Sequence, residues 1–202
     1  MDWRLPAALV LAESTGQRVG AILKLQQDDI DLSRLPYGWV EFRAEVQKTE
    51  YEHLMALPEY ARPILLEHLQ CLGSPSVPLL FPGERKRDKP VRVSVLSKKL
   101  RSAYLRAGLT PPEGSLWHAW RRKWATERKA MPRVDVAKAG GWRDVATLER
   151  CYQQADEATQ MHVFLEAPKL HSQGMVVGEV TPNATPLSVE SGQVEPTQRE
   201  AG

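Results

Sequence analysis

The amino-acid sequence predicts a mainly α-helical domain that carries one small antiparallel β-sheet, an α+β fold. Apolar residues recur at helical spacing through most of residues 5–166, whereas residues 40–57 switch to an alternation of period two. Proline- and glycine-rich stretches separate these periodic segments, as loops do between packed elements. After Pro168 the chain turns to small and polar residues with few large apolar ones. We therefore expect one domain over residues 1–168 and a disordered tail over 169–202.

The periodic segments define the predicted helices and strands. Helices are predicted over residues 5–14, 19–26, 58–72, 94–107, 117–131, 134–140, 144–154 and 156–166. Val40, Phe42, Ala44 and Val46 alternate with charged and polar residues, which is typical of a half-buried strand. A short turn at 48–50 leads to a second candidate strand over 53–57, so we expect a β-hairpin.

Composition excludes several classes of protein. The chain has 202 residues, of which 42% are hydrophobic and 26% charged, as in ordinary globular proteins. No apolar run approaches the ~20 residues of a membrane span, and the N-terminus lacks the pattern of a secretory signal. Cys71 and Cys151 form no CxxC pair and no metal-ligand spacing, so we expect free thiols, no metal and a cytoplasmic location.

Positive charge is concentrated in one part of the sequence. Residues 84–150 hold 18 Lys and Arg against 7 Asp and Glu, a net charge of +11, although the whole chain carries only +2. Such a segment suits a polyanion such as a phosphate backbone. A solvated basic face explains the same charge equally well when the segment is taken alone.

Arg18 and the pair of His118 and Arg121 are candidate functional residues with ordinary alternatives. Arg18 begins a predicted helix, where the positive end of the dipole disfavours a cation by ~0.3–1 kcal/mol, and a bound anion would explain it. An exposed or ion-paired arginine is the simpler explanation. His118 and Arg121 are three residues apart and share one helix face beside three tryptophans at core-like spacing. A core-rim histidine beside a surface arginine shows the same pattern.

Lys48, Trp142 and Tyr152 are unremarkable when each is taken alone. Lys48 lies in a predicted hairpin turn, where a lysine is normally solvated. Trp142 follows two glycines and is compatible with a packing anchor. Tyr152 follows apolar residues by four and seven positions, as a core tyrosine also does.

The order of these residues along the chain is more specific than any one of them. The motifs are Thr15-Gly16-Gln17-Arg18, Lys48 in a β-turn, His118-Ala119-Trp120-Arg121, Gly141-Trp142 and Tyr152. This order resembles the tyrosine recombinase (phage-type integrase) family, whose catalytic domains are mainly helical with a small sheet. The segments 29–31, 80–82 and 121–126 agree with the same family, and the resemblance covers residues 8–166.

The resemblance implies a site-specific DNA recombinase or integrase of a mobile genetic element, which breaks and rejoins strands through a covalent 3′-phosphotyrosyl intermediate. It implies that Tyr152 is the nucleophile, that Arg18 and Arg121 clamp the phosphate, and that His118 moves the proton. It further implies that Lys48 protonates the leaving 5′-oxygen and that Trp142 donates a hydrogen bond to the phosphate. The implied partners are double-stranded DNA and three further copies of the chain in a tetramer. No cofactor is implied.

The sequence departs from the family pattern at several points. An acidic residue usually follows the first arginine by three positions, where this chain has Ala21. The position of Trp142 is more often histidine, and Tyr152 follows Trp142 by ten positions rather than nine. The family also carries an N-terminal DNA-clamping domain, whereas this sequence starts almost at the first catalytic helix, so we expect that domain to be absent.

Three other functions fit parts of the sequence. A type IB topoisomerase-like enzyme shares the arginine, lysine, histidine and tyrosine chemistry, but the HxxR spacing and the small size favour a recombinase. Ala21 and the missing clamping domain suit an inactive DNA-binding remnant of an integrase. A helical scaffold without any nucleic-acid role requires the order of the five motifs to be coincidence.

Deletion of residues 171–202 should leave the thermal unfolding temperature nearly unchanged. This segment offers few apolar side chains to bury, so its loss removes little stabilising contact. Calorimetry on the full and the shortened chain checks this expectation. A fall of several degrees in the shortened chain would instead show that the tail packs on the domain.

Overall fold

The computed structural model describes residues 2–46, 52–73, 76–153, 155 and 157–165 of the chain. The chain divides into two compact units, of which the first is Met1–Glu157 and the second begins at Ala158. The hairpin turn predicted to carry Lys48 lies outside the described residues, as does the predicted tail over 169–202.

Helices dominate the described residues. They are α1 (Leu5–Thr15), α2 (Val19–Ile22), α3 (Ala61–Leu72), α4 (Val93–Arg106), α5 (Leu116–Glu127), α6 (Arg133–Ala139), α7 (Val145–Cys151) and α8 (Glu157–Leu165). Helix α1 lies at the centre of the first unit, with most of its residues buried, and it packs against both α3 and α5. The side chains Met161, Val163, Phe164 and Leu165 of α8 are all exposed.

A small antiparallel sheet completes the fold. Its three strands are β1 (Ile30–Asp31), β2 (Gly38–Phe42) and β3 (His53–Leu57), in that spatial order. Strand β2 pairs with β3 so that Phe42 faces His53 and Gly38 faces Leu57. Alternate residues of β2 are buried, which confirms the half-buried strand that the period of two predicts.

The apolar core has two parts. The larger cluster joins α1, the sheet, α3, α4 and the first turn of α5. The smaller one is formed by Trp124, Ala125, Val136, Ala137, Trp142 and Leu148, with Tyr152 packed against it. Helix α5 contributes to both clusters and therefore joins α6 and α7 to the rest of the first unit.

The predicted fold class is confirmed, and most differences lie at the ends of elements. Residues 44–46, predicted as the continuation of β2, form a 3₁₀ turn instead. The two-residue strand β1 was not predicted from the sequence, and helix α2 ends at Ile22 rather than near residue 26. Helix α7 ends at Cys151, so Tyr152 lies just beyond it rather than inside a helix that continues to 154. No helix among the described residues is long and apolar enough to cross a membrane.

Gly16 ends α1 at a point where the backbone meets the Trp124 ring. Its φ of +62° lies in the left-handed region, and a Cβ at this position would come within 2.5 Å of the indole. The Trp124 Nε1 donates a hydrogen bond of 3.0 Å to the carbonyl of Ser14, which fixes the ring over this turn. Only glycine therefore satisfies both the backbone conformation and the close contact.

Gly16→Ala should lower the free energy of unfolding by about 2–4 kcal/mol, because the left-handed conformation and the overlap with Trp124 each disfavour a side chain. Gly20→Ala is the matched control. Gly20 is exposed in α2 with open space around its Cβ position, so alanine there should be neutral or slightly stabilising. Urea unfolding of both variants provides the comparison. Equal stability of the two variants would contradict the proposed contact.

Candidate active site

The guanidinium of Arg121 lies at the centre of the predicted site. Arg121 projects from α5 and is only 1% exposed. Its Nη1 donates a hydrogen bond to the carbonyl oxygen of Gly16, the residue that ends α1. Its Cζ lies 3.7 Å from the ring centre of Trp142 and 5.3 Å from that of Tyr152. One buried cation thus contacts three of the predicted motifs.

The electrostatic surroundings of Arg121 disfavour its charge. Burial is the larger cause and the charge of nearby Arg18 the smaller one, and the pKa of Arg121 is lowered to about 10. The phenol of Tyr152, whose ring centre lies 5.3 Å from the Arg121 Cζ, acts on this pKa in the opposite direction. Among the described residues, no carboxylate contributes to this pKa. Arg121 is therefore a buried cation without an anionic partner, an arrangement that costs folding free energy unless an anion binds.

Several polar hydrogens around Arg121 have no acceptor among the described residues. They belong to Arg18 Nη1, Arg121 Nε, Arg121 Nη2 and Trp142 Nε1, all of which are buried. Buried donors are nearly always hydrogen-bonded in proteins, so four such atoms around one cation indicate a ligand that accepts hydrogen bonds. An oxyanion with several oxygen atoms fits this donor set.

His118 stands at the open side of this cluster. It is exposed on α5, and its ring meets the ring of Tyr152 edge-on with 5.9 Å between centres. Partial burial and the charges of Arg121, Arg122 and Arg18, in that order, lower the pKa of His118 below its usual value. The imidazole is consequently neutral near pH 7 and able to accept a proton.

Tyr152 is held by its backbone rather than by a helix around it. Its N–H donates to the carbonyl of Leu148 at 3.0 Å, and its own carbonyl accepts from the Thr126 hydroxyl at 3.1 Å. Its ring packs edge-on against Trp142 with 4.9 Å between ring centres. The phenol is thereby fixed beside Arg121, while its main chain lies at the free end of α7.

Trp124 connects the two halves of the site, a role that the sequence analysis did not assign. Its indole lies on Gly16 and stacks on Trp142 with ring centres 5.9 Å apart. Gly140 passes directly beneath the Trp142 ring, since a Cβ there would lie 1.8 Å from it. The signal in the sequence was the core-like spacing of Trp124 with Trp117 and Trp120, which places it beside the face of Arg121.

Five of the six predicted site residues therefore lie together. Arg18, His118, Arg121, Trp142 and Tyr152 are linked by the contacts above, whereas Lys48 lies outside the described residues. Ala21, at the position where the family usually has an acid, is buried and apolar. Within the described ranges, no group of three His, Cys, Asp or Glu side chains could hold a metal ion.

The sequence matches the phage integrase family over residues 1–159, which is most of the chain. The chain belongs to the phage integrase family. This match confirms the family that the order of the five motifs predicts, the tyrosine recombinases. A comparison with curated protein sequences gives no significant match.

Solved structures of tyrosine recombinases share the fold of this phage integrase family member. The XerA recombinase superposes with a TM-score of 0.66 at 20% identity, covering 83% of this chain and 58% of XerA. The XerH recombinase bound to its difH substrate gives a TM-score of 0.63 at 21% identity, covering 81% of this chain and 46% of XerH. A λ integrase dimer bound to a core site gives a TM-score of 0.52 at 21% identity, covering 76% of this chain and 55% of the λ integrase chain. The matched region spans about half the length of these proteins.

Sulfate should stabilise this phage integrase family member by binding at the unpaired donors. At ten times its dissociation constant a ligand adds about 1.4 kcal/mol, which raises the unfolding temperature by roughly 3–5 °C in a domain of this size. Arg18→Ala removes one donor and should abolish most of this shift. Because sulfate also stabilises proteins non-specifically, chloride at matched ionic strength is the reference. Equal shifts in the native and variant proteins would show that the donors bind no anion.

Proposed function

We propose that residues 1–168 form the catalytic domain of a site-specific DNA recombinase that cuts and rejoins strands through a 3′-phosphotyrosyl intermediate. One observation carries the proposal. The unpaired donors of Arg18, Arg121 and Trp142 lie together around the Arg121 guanidinium, whose Cζ is 5.3 Å from the ring centre of Tyr152, and no carboxylate among the described residues contributes to the pKa of Arg121. A phosphodiester supplies the missing negative charge and the missing acceptors at the same time.

The two arginines suit the transition state of phosphoryl transfer. Negative charge accumulates on the non-bridging oxygens of the phosphate as the nucleophile attacks. Guanidinium groups remain protonated and can bind two oxygens at once. Because Arg121 is buried and already positioned by Gly16, it needs little reorganisation to stabilise that charge. Trp142 Nε1 adds one further donor, since an indole can donate but cannot accept.

His118 is suited to take the proton of the nucleophile. A phenol with a pKa near ~10 is a weak nucleophile at neutral pH, so attack requires a base and nearby cations. The lowered pKa of His118 keeps its imidazole neutral, and its ring lies against that of Tyr152. Bound phosphate would raise this pKa again, which favours the imidazolium needed to return the proton on rejoining.

The proposed reaction exchanges one phosphodiester for another. The oxygen of Tyr152 forms a bond to phosphorus, the bond from phosphorus to the 5′-oxygen breaks, and the 5′-oxygen receives a proton. We assign that proton to Lys48 by family resemblance. In the reverse reaction a 5′-hydroxyl attacks the phosphotyrosine and releases the tyrosine. The energy of the broken linkage is conserved in the intermediate, so rejoining requires no nucleotide cofactor.

Duplex DNA is the proposed substrate, and a second copy of the chain the proposed partner. The net charge of +11 over residues 84–150 suits contacts to backbone phosphates, which give affinity with little sequence information. The exposed apolar side chains at the end of α8 suit burial against another subunit, as in the expected tetramer. Recombination of mobile DNA in the cytoplasm is the setting we propose.

A catalytically impaired remnant is the second candidate. The observation that favours it is Ala21, which is buried at the position where an acid usually supports the first arginine. Arg18 Nη1 consequently lacks a hydrogen-bond partner among the described residues. A remnant would bind DNA through the same cations yet fail to form the covalent intermediate.

Covalent trapping separates the enzyme from the remnant. Nicked duplexes with randomised sequence around the nick lose a short strand after cleavage, so the attacking 5′-hydroxyl diffuses away and the intermediate accumulates. The native chain should give a DNA adduct that survives denaturing electrophoresis. Tyr152→Phe removes only the attacking oxygen and should abolish the adduct. Arg18→Ala should slow its formation roughly a hundredfold, since a lost oxyanion donor costs about 3 kcal/mol.

DNA binding measured in parallel is the control for both variants, because each should still bind duplex DNA. An adduct that persists in Tyr152→Phe would show that another residue attacks. No adduct from the native chain, even when it is fused to a DNA-clamping domain, would establish the remnant.

A further inference from the structure

A cavity of about 380 Å³ opens beside Trp142, and the proposed chemistry leaves it unused. We call it the flank cavity. Its polar lining includes His53 at the start of β3, Lys138 near the end of α6, and Arg143 in the loop before α7. Its size falls within the usual range for a small-molecule or nucleotide site.

The charge of the flank cavity is positive. Lys138 and Arg143 are both exposed, and neither forms an ion pair with another described residue. Asp144 also lines the cavity, but its two oxygens accept hydrogen bonds from the backbone N–H and the hydroxyl of Thr147 at 2.6 and 2.9 Å. Asp144 thus caps α7. Lys138 and Arg143 line the cavity, and no described carboxylate forms an ion pair with either of them.

The other wall of the cavity is apolar. Val134, Ala137 and Val145 contribute it, together with the indole of Trp142. A cationic rim and an apolar wall match the two parts of a DNA backbone unit. The phosphate would meet Lys138 and Arg143, and the carbon face of the deoxyribose would lie on the aliphatic side chains.

We propose that the flank cavity binds the deoxyribose-phosphate unit next to the phosphate that Arg18 and Arg121 hold. This inference rests on the proposed function, because it takes the bound ligand to be a DNA strand. Trp142 relates the two positions: its indole lines the cavity and also lies 3.7 Å from the Arg121 guanidinium. Successive phosphates of one strand are separated by a single deoxyribose, so one indole can border the positions of two successive phosphates.

His53 is the third polar group of this site and was not among the residues predicted from the sequence. Its Nε2 lies 3.5 Å from the position that a Cβ on Gly141 would occupy, so the imidazole packs directly on the Gly141 backbone. Gly141 has a φ of +67° and carries no side chain that would displace the ring. The imidazole is thereby held between the arginine site and the flank cavity.

The protonation of His53 gives the inference a separate readout. Burial, Arg121 and Lys138 lower its pKa, in that order. The other charged side chains that line the cavities touching His53 are Arg128, Arg143, Asp135 and Asp144. A phosphate bound nearby raises the pKa of His53 from this lowered value. DNA binding then takes up a proton, so affinity increases as pH falls through the interval between the free and the bound pKa.

The test measures DNA affinity in the full chain carrying Tyr152→Phe, with a fluorescent duplex as the probe. In that background Lys138→Gln with Arg143→Gln should weaken binding about tenfold and reduce the slope of log K against log salt by about 0.9, the value for one phosphate. Lys24→Gln with Arg34→Gln is the charge-matched control. Both of its residues are exposed and lie outside the flank cavity, so the slope should not change.

The histidine is tested by the pH dependence of the same binding. His53→Gln keeps a hydrogen-bonding group but cannot take up a proton, so it should lose part of the gain in affinity below pH 6.5. His162→Gln is the matched control, since His162 is exposed and does not line the cavity. A His53→Gln protein with the native pH dependence overturns the role of His53.

A neutral backbone linkage locates the phosphate. In nicked duplexes that yield adduct, a methylphosphonate next to the cleaved phosphate should lower the yield of the native chain about tenfold. It should cause no further loss in the Lys138→Gln, Arg143→Gln protein, which has already lost that contact. If the methylphosphonate lowers the adduct yield by the same factor in the native chain and in the doubly substituted protein, the cavity does not hold this phosphate.

These outcomes distinguish the two proposals. An unchanged salt slope in the cavity variant, with adduct still formed by the native chain, overturns the flank cavity alone. Native DNA binding without any adduct overturns the recombinase alone. A change in oligomeric state without a change in DNA affinity would identify the cavity as a protein-docking surface and would equally overturn the inference.

Discussion

The burial of one positive charge, that of Arg121, governs the arrangement of the residues around it. A guanidinium removed from water needs compensation, and the chain supplies only part of it. The Gly16 carbonyl accepts one hydrogen bond, and the face of Trp142 provides a cation–π contact at 3.7 Å. Two of its nitrogens remain without acceptors among the described residues. The domain therefore folds around donors that it does not satisfy itself, and under the proposed function a DNA phosphate would satisfy them.

This constraint explains features that are otherwise unrelated. Gly16 must be glycine because Trp124 lies against its backbone, and Gly140 because Trp142 does the same further along the chain. Trp124 stacks on Trp142, and Tyr152 meets Trp142 edge-on. The aromatic rings exclude water from the guanidinium, which strengthens its attraction for an anion. Rigidity of this kind is useful for charge stabilisation, because donors that are already in place need not be reorganised during the reaction.

Sequence patterns predicted which residues form the site better than they predicted the contacts that hold those residues in place. Periodicity of 3.6 and 2 placed the main helices and the β2–β3 pair, and the order of the motifs predicted the site residues that the described part of the chain brings together. The contact of Trp124 with Gly16 was not predictable, because it joins residues more than 100 positions apart through shape alone. Strand β1 was not predicted, because two residues are too few to show a period. Residues 44–46 alternate between apolar and polar side chains as a strand does, although they form a 3₁₀ turn. His53 gave no signal in the sequence, because its place beside the site depends on its contact with the Gly141 backbone, 88 positions away along the chain.

The residues that hydrogen-bond across the site lie far apart in the sequence, and this has a consequence for synthesis of the chain on the ribosome. The bond from Arg121 to Gly16 closes a loop of 105 residues, and the bond from Trp124 to Ser14 closes one of 110. Closing such loops costs entropy that only the completed packing offsets. A ribosome-bound chain that ends before α5 possesses Arg18 but neither Arg121 nor Tyr152. Under the proposed function, the capacity to attack DNA would thus arise only when translation of the domain is nearly finished.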